Sequence, residues 1–135
     1  MTDVGTRVED ARAVVDRWDT VFTALAAEPR RQLVVSLLDA PSGKPVSLPG
    51  GARNPNLPTV PERFRLRLIH EHLPMLAENG FVDWEDDPLV ASRGPRFDEI
   101  AIVMDSLQGA AGEIPDSLVI GCQRLEQERQ TGLDR

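Results

Sequence analysis

The sequence predicts a mostly α chain of the α+β class, with one short β-hairpin set among helices. Three observations predict it. Apolar residues recur at steps of three and four in several separate stretches, the spacing of one helix face. Two short segments, Phe81 to Trp84 and Leu89 to Ser92, flank Glu85-Asp86-Asp87-Pro88 and read as a hairpin. The 135 residues, 41% of them hydrophobic, are enough for one domain with a modest core.

Met1 to Arg12 is polar and reads as a flexible, frayed N-terminus. Ala13 to Ala27 is helical, because Val14, Trp18, Val21, Phe22 and Leu25 make a continuous apolar stripe. Pro29 sits where a first-turn proline belongs, and Arg30 to Asp39 is a second helix with Leu33, Val34, Leu37 and Leu38 on one face. Pro41-Ser42-Gly43 is a turn, and Pro45 to Leu48 a short strand. Pro49 to Pro58 holds three prolines, two glycines and two asparagines, which exclude a regular helix.

The strongest stretch is Thr59 to Trp84, a long helix running into a strand. Thr59 and Glu62 form a capping box, and Pro61 is tolerated in the first turn. Leu66, Ile69, Leu73 and Leu76 share the core face, with Arg63, Arg67, His70, Glu71 and Pro74 opposite. Pro74 cannot donate to the carbonyl of His70, so a bend is expected there. Asn79-Gly80 is a left-handed C-cap. After the hairpin, Arg93-Gly94-Pro95 stops the strand. Phe97 to Gln108 is a helix with Ile100, Met104 and Leu107 on one face, and a last helix runs from about Asp116 to Gln130, its tail solvated from Glu126. The expected organisation is a flexible segment 1–12, a domain over 13–110 and a C-terminal helix and tail over 111–135. The order of elements is that of a winged helix with one helix replaced by loop: mostly α, a two-stranded β-wing, then C-terminal helices.

Composition narrows the function. No apolar run approaches a membrane span, and no basic start leads into an apolar run, so a cytoplasmic protein is expected. Cys122 is the only cysteine, which excludes an internal disulfide and a thiolate metal cluster. His70 and His72 lie about 200° apart on a helix and cannot chelate one metal together. His72 reads as a packed or hydrogen-bonded residue, His70 as exposed. No phosphate-cradling glycine loop and no nucleophile with a His/Asp neighbourhood is present, so no enzyme, cofactor or metal site is expected. The net charge of −7 argues against a general nucleic-acid binder. Its distribution matters more. Between Ala52 and Leu68 four arginines stand against one glutamate, a local charge of +3 that suits a phosphate partner. Lys44 is the only lysine, and this acid-rich, lysine-poor balance is typical of halophilic proteins, where an acidic surface serves solubility.

Three segments carry a resemblance. ALAAEPRRQLVVSLL (Ala24 to Leu38) resembles the opening of ArsR-like winged helix-turn-helix transcription regulators, and HEHLPMLAENGFVDW (His70 to Trp84) resembles their recognition helix and first wing strand. VASRGPRFDEI (Val90 to Ile100) with IPDSL (Ile114 to Leu118) is similar to small helix-turn-helix proteins of halophilic archaea. The resemblance implies a DNA-binding transcriptional regulator, a repressor, acting as a homodimer on double-stranded DNA through a recognition helix at about 60–79. Carried onto this chain, Arg67, Leu68, His70, Glu71 and Pro74 face bases, and Arg63, Arg93 and Arg96 suit phosphates. The chain departs from the pattern at two places. Prolines stand where the first helix of the helix-turn-helix belongs, and the hairpin tip (Asp83, Glu85, Asp86, Asp87) would repel phosphate. Those departures suit the alternative, a winged-helix protein–protein interaction module that has lost DNA binding.

Overall fold

The computed structural model describes residues 4–133; Met1 to Asp3, at the start of the expected frayed segment, and the last two residues of the tail lie outside it. The elements are α1 (Val4–Leu25), α2 (Glu28–Asp39), β1 (Val46–Ser47), α3 (Pro61–Arg67), a π turn (Leu68–His72), α4 (Leu73–Glu78), β2 (Val82–Asp86), β3 (Leu89–Arg93), α5 (Phe97–Gly109) and α6 (Gln123–Leu133). The described chain is mostly helical with one antiparallel sheet of order β1-β3-β2. The sheet has three strands rather than the two of the expected hairpin alone, because Val46 and Ser47 pair with Ala91 and Val90. In the hairpin, Trp84 opposes Ala91 and Asp86 opposes Leu89, which leaves Asp87-Pro88 as the tip.

The segment read as frayed is helical from Val4 onward, although every residue from Val4 to Arg12 is exposed. The apolar stripe of α1 also divides. Val21 and Leu25 enter the core, while Trp18 is 50% and Phe22 57% exposed. In α2 the expected face is the buried one: Leu33, Val34 and Leu37 are buried and Leu38 packs against them. Between Pro49 and Pro58 the only helical piece is one 3-10 turn, Gly50–Ala52, whose Ala52 is fully buried. Ser36 Oγ donates to the carbonyl of Gly51 at 2.6 Å, and Asn56 Nδ2 donates to that of Gly121 at 2.8 Å. These side chains and short backbone turns, Ala52 N–H to Pro49 O and Leu57 N–H to Asn54 O, hold this loop without a regular helix ladder.

The long helix carries the largest correction. It starts with Val60 as N-cap and Pro61 in its first turn, and no side chain caps it. Thr59 therefore lies one position too early, and the expected capping box with Glu62 does not form. Pro74 leaves the His70 carbonyl without its usual donor, and the helix widens: the Leu73 N–H bonds the carbonyl of Leu68, five residues back. The extra residue in this turn rotates everything before it by about 100° relative to regular α phase. Leu68 takes the inward place expected of Ile69 and is 1% exposed. Leu66 swings out to 55% exposed. Leu73 and Leu76, beyond the π turn, keep their expected place in the core.

The helix ends as expected. Gly80 adopts φ +79°, the Phe81 N–H bonds Leu76 O at 2.9 Å and the Gly80 N–H bonds Ala77 O at 3.0 Å, the paired bonds of a Schellman motif. The exit of β3 returns to this corner: Gly94 N–H donates to Phe81 O and Arg96 N–H to Gly80 O. A methyl at Gly94 would lie 2.6 Å from Gly80 O, 2.8 Å from Val82 N and 2.9 Å from Phe81 C, all backbone atoms. Gly94→Ala should cost about 1–3 kcal/mol, because neither the C-cap nor the strand can yield alone. Urea unfolding within 0.5 kcal/mol of wild type, an ordinary surface effect, would contradict that packing.

The last expected helix, Asp116 to Gln130, is two pieces: a 3-10 turn, Asp116–Leu118, and α6 from Gln123, parted at Gly121 with φ +96°. The tail is exposed at Glu126, Gln127 and Gln130 to Gly132, as expected, but its inner side is tied down. Arg129 donates to Ile114 O at 2.6 Å and pairs with Asp116 at 2.7 Å, while Arg124 pairs with Asp39 at the end of α2. In α5, Ile100 is buried and Met104 packs on the core, but Leu107 is exposed.

Candidate nucleic-acid interface

The solvent face of the long helix is built by the same phase that buries Leu68, Leu73 and Leu76. Arg63, Arg67, His70 and Glu71 all lie exposed, as the sequence predicts. Pro74 is half-buried. Leu68, expected beside Arg67 on the outward face, is in the core instead, for the reason given by the π turn. Arg65 is half-buried and pairs with Asp86 of the hairpin tip at 2.7 Å. The side chains of Arg53, Arg63 and Arg67 make no hydrogen bond or ion pair with any described residue. One of the four arginines between Ala52 and Leu68 is thus neutralised within the fold and three are not.

The two arginines at the base of the hairpin differ. Arg93 was expected on a phosphate, but its Nε and Nη2 donate to Leu37 O at 3.2 and 2.8 Å, and Nη2 reaches Ala40 O at 3.3 Å. Its guanidinium also stacks 5.1 Å from the centre of the Phe97 ring. Its Nε and Nη2 serve the C-terminal carbonyls of α2. Arg96 is exposed and lays its stem over Gly80, at the foot of the long helix. Asp83, Glu85, Asp86 and Asp87 are all exposed, but Asp83 opposes Ser92 near the hairpin base and does not belong to the tip as expected.

Beneath this face lies a polar centre made of His72, buried and hydrogen-bonded as the sequence predicts, and Arg30, which sequence reasoning missed. Arg30 is only 9% exposed. Its Nε donates to Ala24 O at 2.7 Å, Nη2 to Thr23 O at 3.1 Å and Nη1 to His72 Nδ1 at 3.0 Å. Arg31 Nη1 donates to Leu25 O at 2.7 Å. The Pro-Arg-Arg step after α1 thus places two cations on the carbonyl end of that helix. The available signal was basic residues directly past a helix end. It could not have shown that His72, forty-two residues on, closes the network.

Nη1 can only donate, so Nδ1 of His72 accepts and the ring is neutral with its proton on Nε2. Burial pushes the imidazole pKa down from its ordinary value, and the Arg30 charge pushes the same way against Glu71. The unfolded chain therefore takes up this proton first as pH falls. The stabilisation is fully present above about pH 6.5 and is lost as pH drops through the lower folded value. His72→Asn, whose Oδ1 can accept from Arg30, should flatten the melting temperature between pH 7.5 and 5 relative to wild type, read as a difference between the two proteins. Parallel curves would refute the link. Among the described residues no cluster of three or more His, Cys, Asp or Glu could hold a metal, and no helix is long and apolar enough to cross a membrane.

Comparison of the chain with known protein families, with curated proteins and with solved structures finds no match to any of them.

Proposed function

We propose that this chain is a winged helix-turn-helix protein of ArsR-like type that binds double-stranded DNA in the cytoplasm, as a homodimer, and represses transcription. The observation that carries this reading is the exposed Arg63, Arg67, His70 row, with both arginines unclaimed by the described fold, on the helix that leads directly into the hairpin. The sheet order β1-β3-β2 and the Arg96 position at the hairpin base are consistent with it. The row enters the major groove, Arg67 at mid-helix forks onto a guanine, and Arg53, Arg63 and Arg96 hold phosphates. Arg93 has no part in it, being bound to α2.

A specific observation favours a second reading, the interaction module. Asp86 reaches back to Arg65, and the other tip carboxylates would meet the DNA backbone as like charges. Titration of duplex fragments in low and in molar potassium chloride separates the two. Three phosphate contacts per protomer give six per dimer, hence a slope of log K on log salt near −5. Absence of saturable binding wherever circular dichroism shows a folded protein would leave the interaction module.

A further inference from the structure

The outward face of α1 is a long apolar row that the described fold leaves uncovered. Val4, Val8, Ala11, Val15, Trp18 and Phe22 recur at steps of four, three, four, three and four, and all are exposed. Trp18 and Phe22 stack on one another along this row, with ring centres 5.7 Å apart. The row is distinct from the inward one, Val21, Ala24 and Leu25, and lies roughly 105° around the helix from it. Nothing in the described chain touches the first three turns enough to bury them, and a helix of that length has little stability without a packed face.

We infer that this face pairs with the same face of a second copy of the chain, as an antiparallel two-stranded coiled coil centred between Asp16 and Arg17. The inference rests on the homodimer of the reading above and supplies its interface. Steps of three and four place the six residues at alternating seam positions of a heptad. About a twofold axis at that centre, Val15 lies against the partner's Trp18 and Ala11 against the partner's Phe22, so each large ring meets a small residue. The flanking positions agree. Arg12 comes beside the partner's Asp19, and the symmetry repeats the pair. Neither Arg12 nor Asp19 has another side-chain partner among the described residues.

The opposite polarity fits worse. In a parallel pair Arg7 would face the partner's Arg12, two like charges, and Trp18 would meet the partner's Trp18 in one layer. The antiparallel register also uses the groove between α1 and α5. This groove of about 330 Å³ is lined by Val14, Trp18, Val21 and Ile102, with the Arg17–Glu99 ion pair at its edge. On the same register Val21 is the neighbour of the partner's Val14, which would enter that groove.

Sedimentation equilibrium of the full chain, without DNA, tests the inference in the lowest salt at which circular dichroism shows the wild type folded. Val15 is exposed in the protomer, so Val15→Asp should leave the spectrum unchanged and weaken dimerisation by roughly a hundredfold, a charge having been put into the seam. Arg12→Asp and Asp19→Arg should each weaken it by roughly tenfold, and the double exchange should restore it to within about threefold. A wild type that stays monomeric overturns both the interface and the homodimer. A dimer indifferent to Val15→Asp overturns the interface and leaves the homodimer standing. Failure of the double exchange to rescue overturns the antiparallel register. Loss of DNA binding with these three results intact would overturn only the DNA-binding reading.

Discussion

Replacing Arg30 with alanine is expected to destabilise the protein by about 3 kcal/mol, more than any exposed substitution in the chain. The guanidinium satisfies the carbonyls of Thr23 and Ala24 at the end of α1 and the acceptor nitrogen of His72, all within 3.1 Å. Alanine removes all three donors and leaves the acceptors behind, Ala24 being fully buried. An orphaned buried acceptor costs about 1–3 kcal/mol, and the lost stem adds a void between α1, α2 and the π turn. Arg30→Lys keeps the charge, but one ammonium on a flexible stem cannot reproduce a planar fork that reaches three acceptors, so it should recover less than half of the loss. Urea denaturation measures both. The pair Arg30/His72 should further show a coupling near 1 kcal/mol in a double-mutant cycle. Independent, additive losses would mean that the 3.0 Å contact contributes nothing.

The second large effect belongs to the exposed row. If the chain reads DNA through the long helix, Arg67→Ala should cost about 1–3 kcal/mol per half-site at the preferred sequence and relax the choice of base there. Arg63→Ala, nearer the helix start, should weaken all sequences alike and flatten the salt slope by about 0.9 per protomer, near two for a dimer. Both side chains are exposed and unpaired among the described residues, so neither change should alter stability by more than about 0.5 kcal/mol. That separation matters, because a loss of binding then cannot be a loss of fold. Anisotropy curves for the two variants on specific and scrambled duplexes decide it. Identical curves for wild type and Arg67→Ala on every duplex would sink the recognition role. Arg65→Ala is a useful companion. It opens the ion pair with Asp86, and if the tip carboxylates only repel phosphate, Asp86→Asn should strengthen binding while Arg65→Ala weakens it.

The exposure of the candidate row was legible in the sequence because charged side chains on a helix with an apolar core face are left to solvent. Arg63, Arg67, His70 and Glu71 are all exposed, although the wide turn shifts the phase of the two arginines relative to the helix beyond it. Arg93 and Arg96 were not separable in this way. Three residues apart, one is bound to the end of α2 and the other has no side-chain hydrogen bond or ion pair among the described residues, and only the approach of α2 decides between them.

The sequence by itself determined the elements whose cause is local. Prolines and glycines kept Pro49 to Pro58 out of a regular helix, Asn79-Gly80 ended the long helix, and the turn residues around Asp87-Pro88 between two short apolar segments made the hairpin. Tertiary structure decided what depends on groups distant in the chain. The π turn at Leu68–His72 has a local trigger in Pro74, but the widened turn is held because it sets Leu68 and His72 inward together, one in the core and one on Arg30. Periodicity assumes a constant 3.6 residues per turn, so a single wide turn moves every residue before it, and Leu66 went out as Leu68 came in. The buried arginine shows the same limit. A cation is placed in a core only when several acceptors converge on it, and those of Arg30 come from the end of one helix and the middle of another.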